Sequence, residues 1–238
     1  MLNAAEMSQN LQEIRAQIAA CHRSDKRPDK PPAKIIAVSK TFPAAAVRAI
    51  YAAGVEDIGE NYLQEAEEKI PACADLPLVW HFIGKIQKNK IKRIAALFDW
   101  VHSVDCFSYA ERLSAARAAD ENEKPLNVLL QVNISAEESK SGVAVCEALP
   151  LARDIAALPN IRLRGLMILP LMTNAPQQQY DIFCRTAALQ QQIAAAINLP
   201  LDCLSMGMSA DYPQALRAGA THIRLGTALF GARAKKGT

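Results

Sequence analysis

The chain alternates eight times between a short apolar run and a longer amphipathic pattern, and this alternation restricts its fold more than any other feature. The apolar runs are partly β-branched and have the length of strands. Strict alternation implies right-handed crossovers and parallel strands, and eight such units close into a (β/α)8 barrel of the TIM type. We place the strands at 35–38, 55–59, 78–83, 100–104, 126–132, 161–168, 201–205 and 222–225.

The remaining segments are predicted as helices and connections. An extra N-terminal helix carries one apolar stripe, with Met7, Leu11, Ile14, Ile18 and Cys21 at spacings of three and four. A charged, proline-rich connector follows at 22–34. Helices are expected at 2–21, 43–53, 60–69, 85–97, 108–119, 144–158, 177–197, 211–218 and 228–233. The alternative fold, an open doubly wound sheet, is disfavoured because no Gly-rich dinucleotide fingerprint follows a strand.

Composition limits the class of protein. The 238 residues suffice for a single barrel domain at 1–238, in which 1–33 form the N-terminal helix and connector. The net charge of +3 neither requires nor excludes an anionic partner. Six scattered cysteines, without a metal-type or redox-type pair, fit a reducing compartment. With no signal peptide and no membrane span in the sequence, we expect a cytoplasmic protein with no membrane association.

The first strand ends on a lysine, in Ala37-Val38-Ser39-Lys40-Thr41. Lys40 therefore lies where a strand passes into a helix, on the face where barrels of this type carry their chemistry. A partly desolvated amine there loses its proton readily and attacks a carbonyl. The alternative is a lysine that merely extends to water at a strand end.

Two small polar turns follow the last two strands. Ser205 and Gly207 belong to the first turn, and Gly226 and Thr227 to the second. Barrels often bind a phosphate with the loops after strands seven and eight, through backbone N–H groups and hydroxyls. The alternative is a pair of ordinary tight turns.

Arg224 and His81 are further candidates. Arg224 shares a strand face with His222 and Gly226. Its guanidinium could pair with a phosphate or a core carboxylate, or point at a ligand's ring nitrogen, which would then stay neutral. His81 ends the third strand and could face the barrel mouth, although a lone histidine there is more often a packed core residue.

Two polar segments are open to several interpretations. The basic residues at 85–93 usually form a solvated helix face, and nucleic-acid binding is disfavoured because no aromatic stacking platform accompanies them. The loop at 133–142 is either a lip over the barrel mouth or a turn. No hydrolase triad, metal-ligand cluster or Walker sequence is present.

The chain resembles the pyridoxal phosphate homeostasis proteins, a family of alanine-racemase-like barrels. The motifs that carry the resemblance run in order from residue 37 to 233. They are Ala37-Val38-Ser39-Lys40-Thr41, Gly59-Glu60-Asn61-Tyr62, His81-Phe82-Ile83-Gly84, Asn133-Ile134-Ser135, Ser139-Lys140-Ser141-Gly142, Gly165-Leu166-Met167, Ser205-Met206-Gly207-Met208-Ser209, Arg224-Leu225-Gly226-Thr227 and Phe230-Gly231-Ala232-Arg233.

The resemblance implies a role for individual residues. Lys40 matches the lysine that holds pyridoxal 5'-phosphate as a Schiff base, and Arg224 matches the arginine that faces the pyridine nitrogen. The phosphate cup corresponds to Ser205, Gly226 and Thr227, and Asn61 to a position in the pocket lining. The chain departs from the family at 169–171, where no role is carried over. It also departs at Lys85 and Lys88, which make that helix unusually basic, and at Tyr212-Pro213, in a helix start where proline is acceptable.

The resemblance also implies a function without established catalysis. Such a protein binds the cofactor, takes part in its intracellular homeostasis and has apoenzymes as candidate recipients. The alternatives are a pyridoxal-phosphate-dependent enzyme of the racemase type and an aldolase-type barrel that uses Lys40 on a sugar phosphate. Racemases of this class add a second domain that supplies a tyrosine base, and we expect none in this chain.

Overall fold

The computed structural model describes residues 2–24, 31–119, 124–135, 141–170 and 175–231. It contains nine parallel strands, one of which is a two-residue addition to the barrel. The strands are β1 Lys34–Val38, β2 Asp57–Glu60, β3 Val79–Phe82, β4 Trp100–Val104, β5 Leu126–Asn133, β6 Val143–Ala144, β7 Ile161–Met167, β8 Cys203–Ser205 and β9 His222–Leu225.

Eight of these strands close into a barrel, which confirms the predicted fold. β1 lies between β2 and β9, and the pairing of β4 with β5 closes the ring. Among the described residues, the short β6 pairs with β5 alone, so it is not one of the eight strands of the closed barrel. Since every pairing is parallel, the carboxyl ends of all eight barrel strands lie at the same face of the barrel.

Helices surround the barrel and bury the outer face of its strands. Ile58, Phe82 and Val101 point into this layer and are 2% exposed or less. A 3-10 helix, Lys88–Lys90, precedes α4. The helices are α1 Ala4–Ser24, α2 Ala44–Ala52, α3 Leu63–Ala72, α4 Ile91–Leu97, α5 Phe107–Ala118, α6 Val145–Ala156, α7 Pro176–Ile197, α8 Tyr212–Arg217 and α9 Thr227–Phe230.

The N-terminal helix packs through its predicted stripe. Met7, Leu11, Ile14 and Ile18 are all buried in the main core. The helix contacts α2, α8 and α9, and the Leu2 N–H donates to the carbonyl of Phe230 at 3.1 Å. The extra helix therefore packs across the junction between the first and the last strand–helix units of the barrel.

Two helix starts differ from the predictions. The helix expected from residue 85 begins at Ile91, because Gln87 has an extended backbone and Ile86 is directed into the core. Glu60, expected to open a helix, ends β2 instead, and its carbonyl accepts from the Ile83 N–H at 2.9 Å. The basic residues thus lie on a loop and a short helix, not on one long helical face.

Some predicted features lie outside the described residues. They are most of the connector at 25–30, the centre of the polar loop at 136–140, Leu171, and the last helix beyond residue 231. Within the described part of the chain, no helix combines the length and apolar character needed to cross a membrane. Nor does any group of three His, Cys, Asp or Glu side chains among those residues have an arrangement that could hold a metal ion.

Candidate functional site at the carboxyl face of the barrel

Lys40 lies just beyond the carboxyl end of β1 and is half-buried. The preceding Ser39 is fully buried and donates its N–H to the Gly59 carbonyl of β2 at 3.0 Å. The following Thr41 has a φ of 69°, in the left-handed region that β-branched residues rarely occupy. Lys40 is therefore carried on a tight, strained turn.

This turn is held by a buried ionic cluster on α3. Lys69 is 5% exposed, and its Nζ donates to the Ser39 carbonyl, to Glu60 Oε1 and to Glu65 Oε2, each at 2.8 Å. Glu65 Oε2 also accepts from the Thr41 N–H at 2.7 Å, and the Ser39 hydroxyl donates to Glu60 Oε1. The backbone on both sides of Lys40 is thus fixed by charge-assisted hydrogen bonds.

Burial and charge oppose each other at Glu60. Burial raises the pKa of this carboxyl, whereas the Lys69 ammonium and the Ser39 hydroxyl lower it. Its second oxygen, Oε2, is buried without a hydrogen-bond partner among the described residues. Removing Lys69 would therefore leave a buried carboxylate without its counter-ion.

Ser205 and Arg224 meet inside the barrel. Arg224 is 3% exposed and donates to Ser205 Oγ at 2.7 Å and to the Ile168 carbonyl at 2.8 Å. No carboxylate of the described residues forms an ion pair with it, and burial lowers the pKa of Arg224 to about 10 although Asp211 opposes this. A buried guanidinium without an ion pair favours an anionic or electron-rich ligand.

The two turns predicted to bind phosphate lie against each other. The Ala228 N–H donates to Ser209 Oγ at 3.1 Å, and the Arg224 N–H donates to the Gly207 carbonyl at 2.9 Å. A Cβ placed on Gly226 would have its nearest contact, the Val38 carbonyl oxygen, at 3.5 Å, so space remains in front of this glycine. Thr227 then opens α9.

The Ser205 hydroxyl is not directed to these turns. It is fully buried and contacts Arg224 and the ring of His102. Its described contacts are those of a residue that holds Arg224 in place.

Asn61 lies after β2 at the same face. Its Oδ1 is buried without a hydrogen-bond partner among the described residues. The backbone of Gly84 approaches so closely that a Cβ there would lie 1.9 Å from the Asn61 carbonyl oxygen. Asn61 is thus fixed in place with an acceptor available to a ligand or a water molecule.

Of the two alternatives for His81, the structure shows the packed, hydrogen-bonded core residue and not a residue of the barrel mouth. His81 is fully buried, and its Nε2 lies 3.0 Å from Asp57 Oδ1, at the amino end of β2. Because Asp57 starts its strand, this contact directs the ring away from the mouth. The sequence pattern predicted α3 only as a helix, and neither His102 nor the Lys69 cluster was among the predicted site residues.

Comparison with known proteins identifies the class to which this barrel belongs. Residues 4–234 match the family model "Alanine racemase, N-terminal domain". The pyridoxal phosphate homeostasis protein of Pseudomonas aeruginosa is 50% identical over 227 residues, covering 95% of this chain and 96% of that protein. The protein of the same name from Escherichia coli K12 is 42% identical over 238 residues, covering 96% and 97%.

The chain therefore belongs to the pyridoxal phosphate homeostasis proteins within this larger class. PipY of Synechococcus elongatus, solved with pyridoxal phosphate bound, has 35% sequence identity and a TM-score of 0.83, covering 94% of this chain and all of PipY. An alanine racemase of Clostridium difficile shares only the fold, at 12% identity and a TM-score of 0.73, and this chain covers 58% of it.

Proposed function

We propose that this protein binds pyridoxal 5'-phosphate covalently through Lys40 and takes part in intracellular homeostasis of the cofactor. The observation that carries the proposal is the pairing of β1 with β9. Ala37 is in register with Leu225, so the turn with Lys40 and the turn with Gly226 and Thr227 follow neighbouring strands. An amine and a phosphate-type turn are thus placed side by side.

The other residues at this face suit the same ligand. Within the described ranges, Asn61 offers a buried acceptor that has no hydrogen-bond partner, and Arg224 offers a buried cation that forms no ion pair. We assign the phosphate to the turns of Gly226 and Thr227, and the pyridine nitrogen to the Arg224 guanidinium. Ser205 supports the site by holding Arg224. The Lys40 amine condenses with the aldehyde of the cofactor, and water leaves.

We infer a carrier role with at most weak catalysis. When bound, pyridoxal phosphate supplies an electron sink, which is strong only if its ring nitrogen is protonated. Arg224 retains its own proton and offers only donors, so it keeps that nitrogen neutral. His81 is hydrogen-bonded in the barrel interior, and Tyr62 is 53% exposed, so neither is held as a base beside Lys40.

We place this activity in the cytoplasm and propose apoenzymes as recipients of the cofactor. None of the six cysteines forms a disulfide, as expected in a reducing compartment. All residues of the proposed site lie in the single barrel that the described part of the chain forms. Identities of 50% and 42% to pyridoxal phosphate homeostasis proteins, of which this chain covers 96% and 97%, support a role in homeostasis of the cofactor.

Borohydride reduction tests the proposal directly. The purified protein loaded with pyridoxal phosphate is reduced, digested and mapped by mass spectrometry. We expect the pyridoxyl group on Lys40 and none after the Lys40→Ala substitution. Lys69 is the matched control, since it is also a lysine near the same turn but is held by two carboxylates. Labelling confined to Lys69 or to a surface lysine would refute the assignment.

A further inference from the structure

A continuous chain of hydrogen bonds crosses the interior of the barrel. Asp57 Oδ1 lies 3.0 Å from His81 Nε2, and His81 Nδ1 lies 3.0 Å from His102 Nε2. His102 Nδ1 lies 3.0 Å from Ser205 Oγ, which accepts from Arg224 at 2.7 Å. Both histidines and Ser205 are fully buried. We call this set of five residues the interior relay.

The interior relay connects the two ends of the barrel. Asp57 is the first residue of β2 and lies 3.6 Å from Lys34, the first residue of β1. Ser205 is the last residue of β8, and Arg224 lies beside it on β9. A polar path thus runs from an ion pair at the amino end to the proposed cofactor site at the carboxyl end.

The chemistry of the two ends fixes the direction of every hydrogen bond. An ionised Asp57 can only accept, so His81 must carry its proton on Nε2. A neutral His81 then accepts at Nδ1, which requires the proton of His102 to be on Nε2. His102 Nδ1 is left as an acceptor, and the Ser205 hydroxyl donates to it. Since Arg224 can only donate, Ser205 receives its hydrogen bond, and both ends agree.

The surroundings keep both rings neutral. Burial lowers the pKa of His102 well below its usual value, and the neighbouring His81, Arg224 and His222 lower it further. Burial also lowers the pKa of His81. Asp57 and Asp99 oppose this shift, whereas Lys34 adds to it. A neutral imidazole can donate through one nitrogen and accept through the other, which is what the interior relay requires.

We propose that His102, aligned by His81 and Asp57, is a positioning residue that orients the Ser205 hydroxyl and thereby fixes Arg224 for the cofactor. This inference rests on the proposed function for the identity of the ligand, but not for the arrangement of the protons. Without the acceptor at His102, the Ser205 hydroxyl would turn its hydrogen toward Arg224. Two hydrogen-bond donors would then face each other, because the guanidinium can only donate. Arg224 would then lose a charge-assisted hydrogen bond and its alignment.

Two substitutions at His102 separate positioning from packing. An Asn side chain places its amide near Nδ1, whereas a Gln side chain reaches the position of Nε2. His102→Asn therefore keeps an acceptor for Ser205 and loses the contact with His81. His102→Gln keeps the contact with His81 and loses the acceptor. Both variants remove the ring, so they disturb packing in a similar way.

We expect His102→Gln to weaken retention of pyridoxal phosphate by about tenfold or more and His102→Asn by only a few-fold, as for loss of one hydrogen bond to a charged group. Titration of the apoprotein with pyridoxal phosphate measures both. Equal losses, or a larger loss in the Asn variant, would overturn the inference.

Nitrogen-15 NMR of the unliganded protein tests the arrangement without any cofactor. The chain has four histidines, so replacing His22 and His222 leaves the signals of His81 and His102. We expect both rings at pH 7 to be neutral, with the proton on Nε2. A ring protonated on Nδ1 alone, or on both nitrogens, would overturn the inference. If instead Lys40 fails to be labelled while these tautomers are found, the proposed function fails and the interior relay stands.

Discussion

Lys69 Nζ lies 2.8 Å from the carbonyl oxygen of Ser39, the residue that precedes Lys40 in the chain. A buried lysine on α3 thus supports the turn that carries a second lysine, Lys40, just beyond the carboxyl end of β1. Lys69 also contacts Glu60 and Glu65, so its ammonium is held in a buried ionic cluster. These contacts assign a structural role to Lys69, whereas cofactor chemistry at Lys40 is our proposal.

Replacing Lys69 should destabilise the protein strongly. Lys69→Met leaves the carboxylate of Glu60 buried without a counter-ion, for which we expect a loss of about 3–5 kcal/mol in the free energy of unfolding. Urea denaturation measures this loss, with Lys92→Met on the exposed face of α4 as the control. The double variant Glu60→Gln/Lys69→Met should recover part of the loss. A change below about 1 kcal/mol, the value typical of exposed pairs, would show that the cluster does not hold the turn.

The strained turn makes a second prediction. Thr41 has a φ of 69°, which costs a non-glycine residue about 1–2 kcal/mol. Thr41→Gly should relieve this strain and leave stability unchanged or increased by up to about 1 kcal/mol, since glycine also gains freedom in the unfolded chain. Thr41→Val, which keeps the β-branch, should bring no gain. Calorimetry measures the stability of both variants. A Thr41→Gly variant clearly less stable than Thr41→Val would contradict the argument.

The site could be predicted from the sequence only in part. Lys40, Gly226 and Thr227 follow strands, so a period-2 pattern and a turn signal locate them at the carboxyl face. The Lys69 cluster could not be found this way, because Glu65 and Lys69 have the i, i+4 spacing of an ordinary solvated pair.

The interior relay was hidden for a different reason. Its members come from five strands, and only closure of the barrel brings His102 to Ser205, 103 residues away in the chain. The sequence position of an inward-facing histidine does not reveal toward which end of the barrel its ring points. That direction depends on the partner, and for His81 the partner is Asp57.

Acid should destabilise the protein through its buried histidines. Burial lowers the pKa of His222 to about 3, and those of His81 and His102 are also lowered. The unfolded chain binds protons below about pH 6.5, whereas the folded chain does so only at lower pH. Stability is therefore fully present above about pH 6.5 and is lost as the pH falls toward the folded pKa values.

The variant His222→Asn isolates one of these groups. Its amide lies near Nδ1, the atom that contacts Thr221 and Cys203. Below about pH 6, the stability of the parent protein relative to this variant should fall by up to about 1.4 kcal/mol per pH unit. Urea denaturation at several pH values between 4 and 7 would refute the prediction if the difference were constant.

Ser205 and Thr227 should contribute to cofactor retention by different routes. Thr227→Ala removes a hydroxyl from the proposed phosphate turn, whereas Ser205→Ala removes the partner of Arg224. Hydrogen bonds to charged groups are worth about 1.5–3 kcal/mol each, so the double variant should bind pyridoxal phosphate well over tenfold more weakly. Equilibrium titration of the single and double variants measures this. Parent-like affinity in the double variant would place the phosphate elsewhere.

The carrier role makes the last prediction. Arg224 is held by Ser205 and Ile168 as a fixed donor, so a ring nitrogen facing it stays neutral and the electron sink is weak. We therefore expect negligible exchange of the α-proton of alanine in deuterated water with the loaded protein, measured by proton NMR. We also expect measurable transfer of cofactor to an unrelated apoenzyme, read from the activity that the apoenzyme regains. A matched sample of Lys40→Ala corrects for cofactor that is merely free in solution. Rapid exchange that is lost in Lys40→Ala would mean that this barrel acts as an enzyme of the racemase type. A neutral ring nitrogen would then not prevent catalysis.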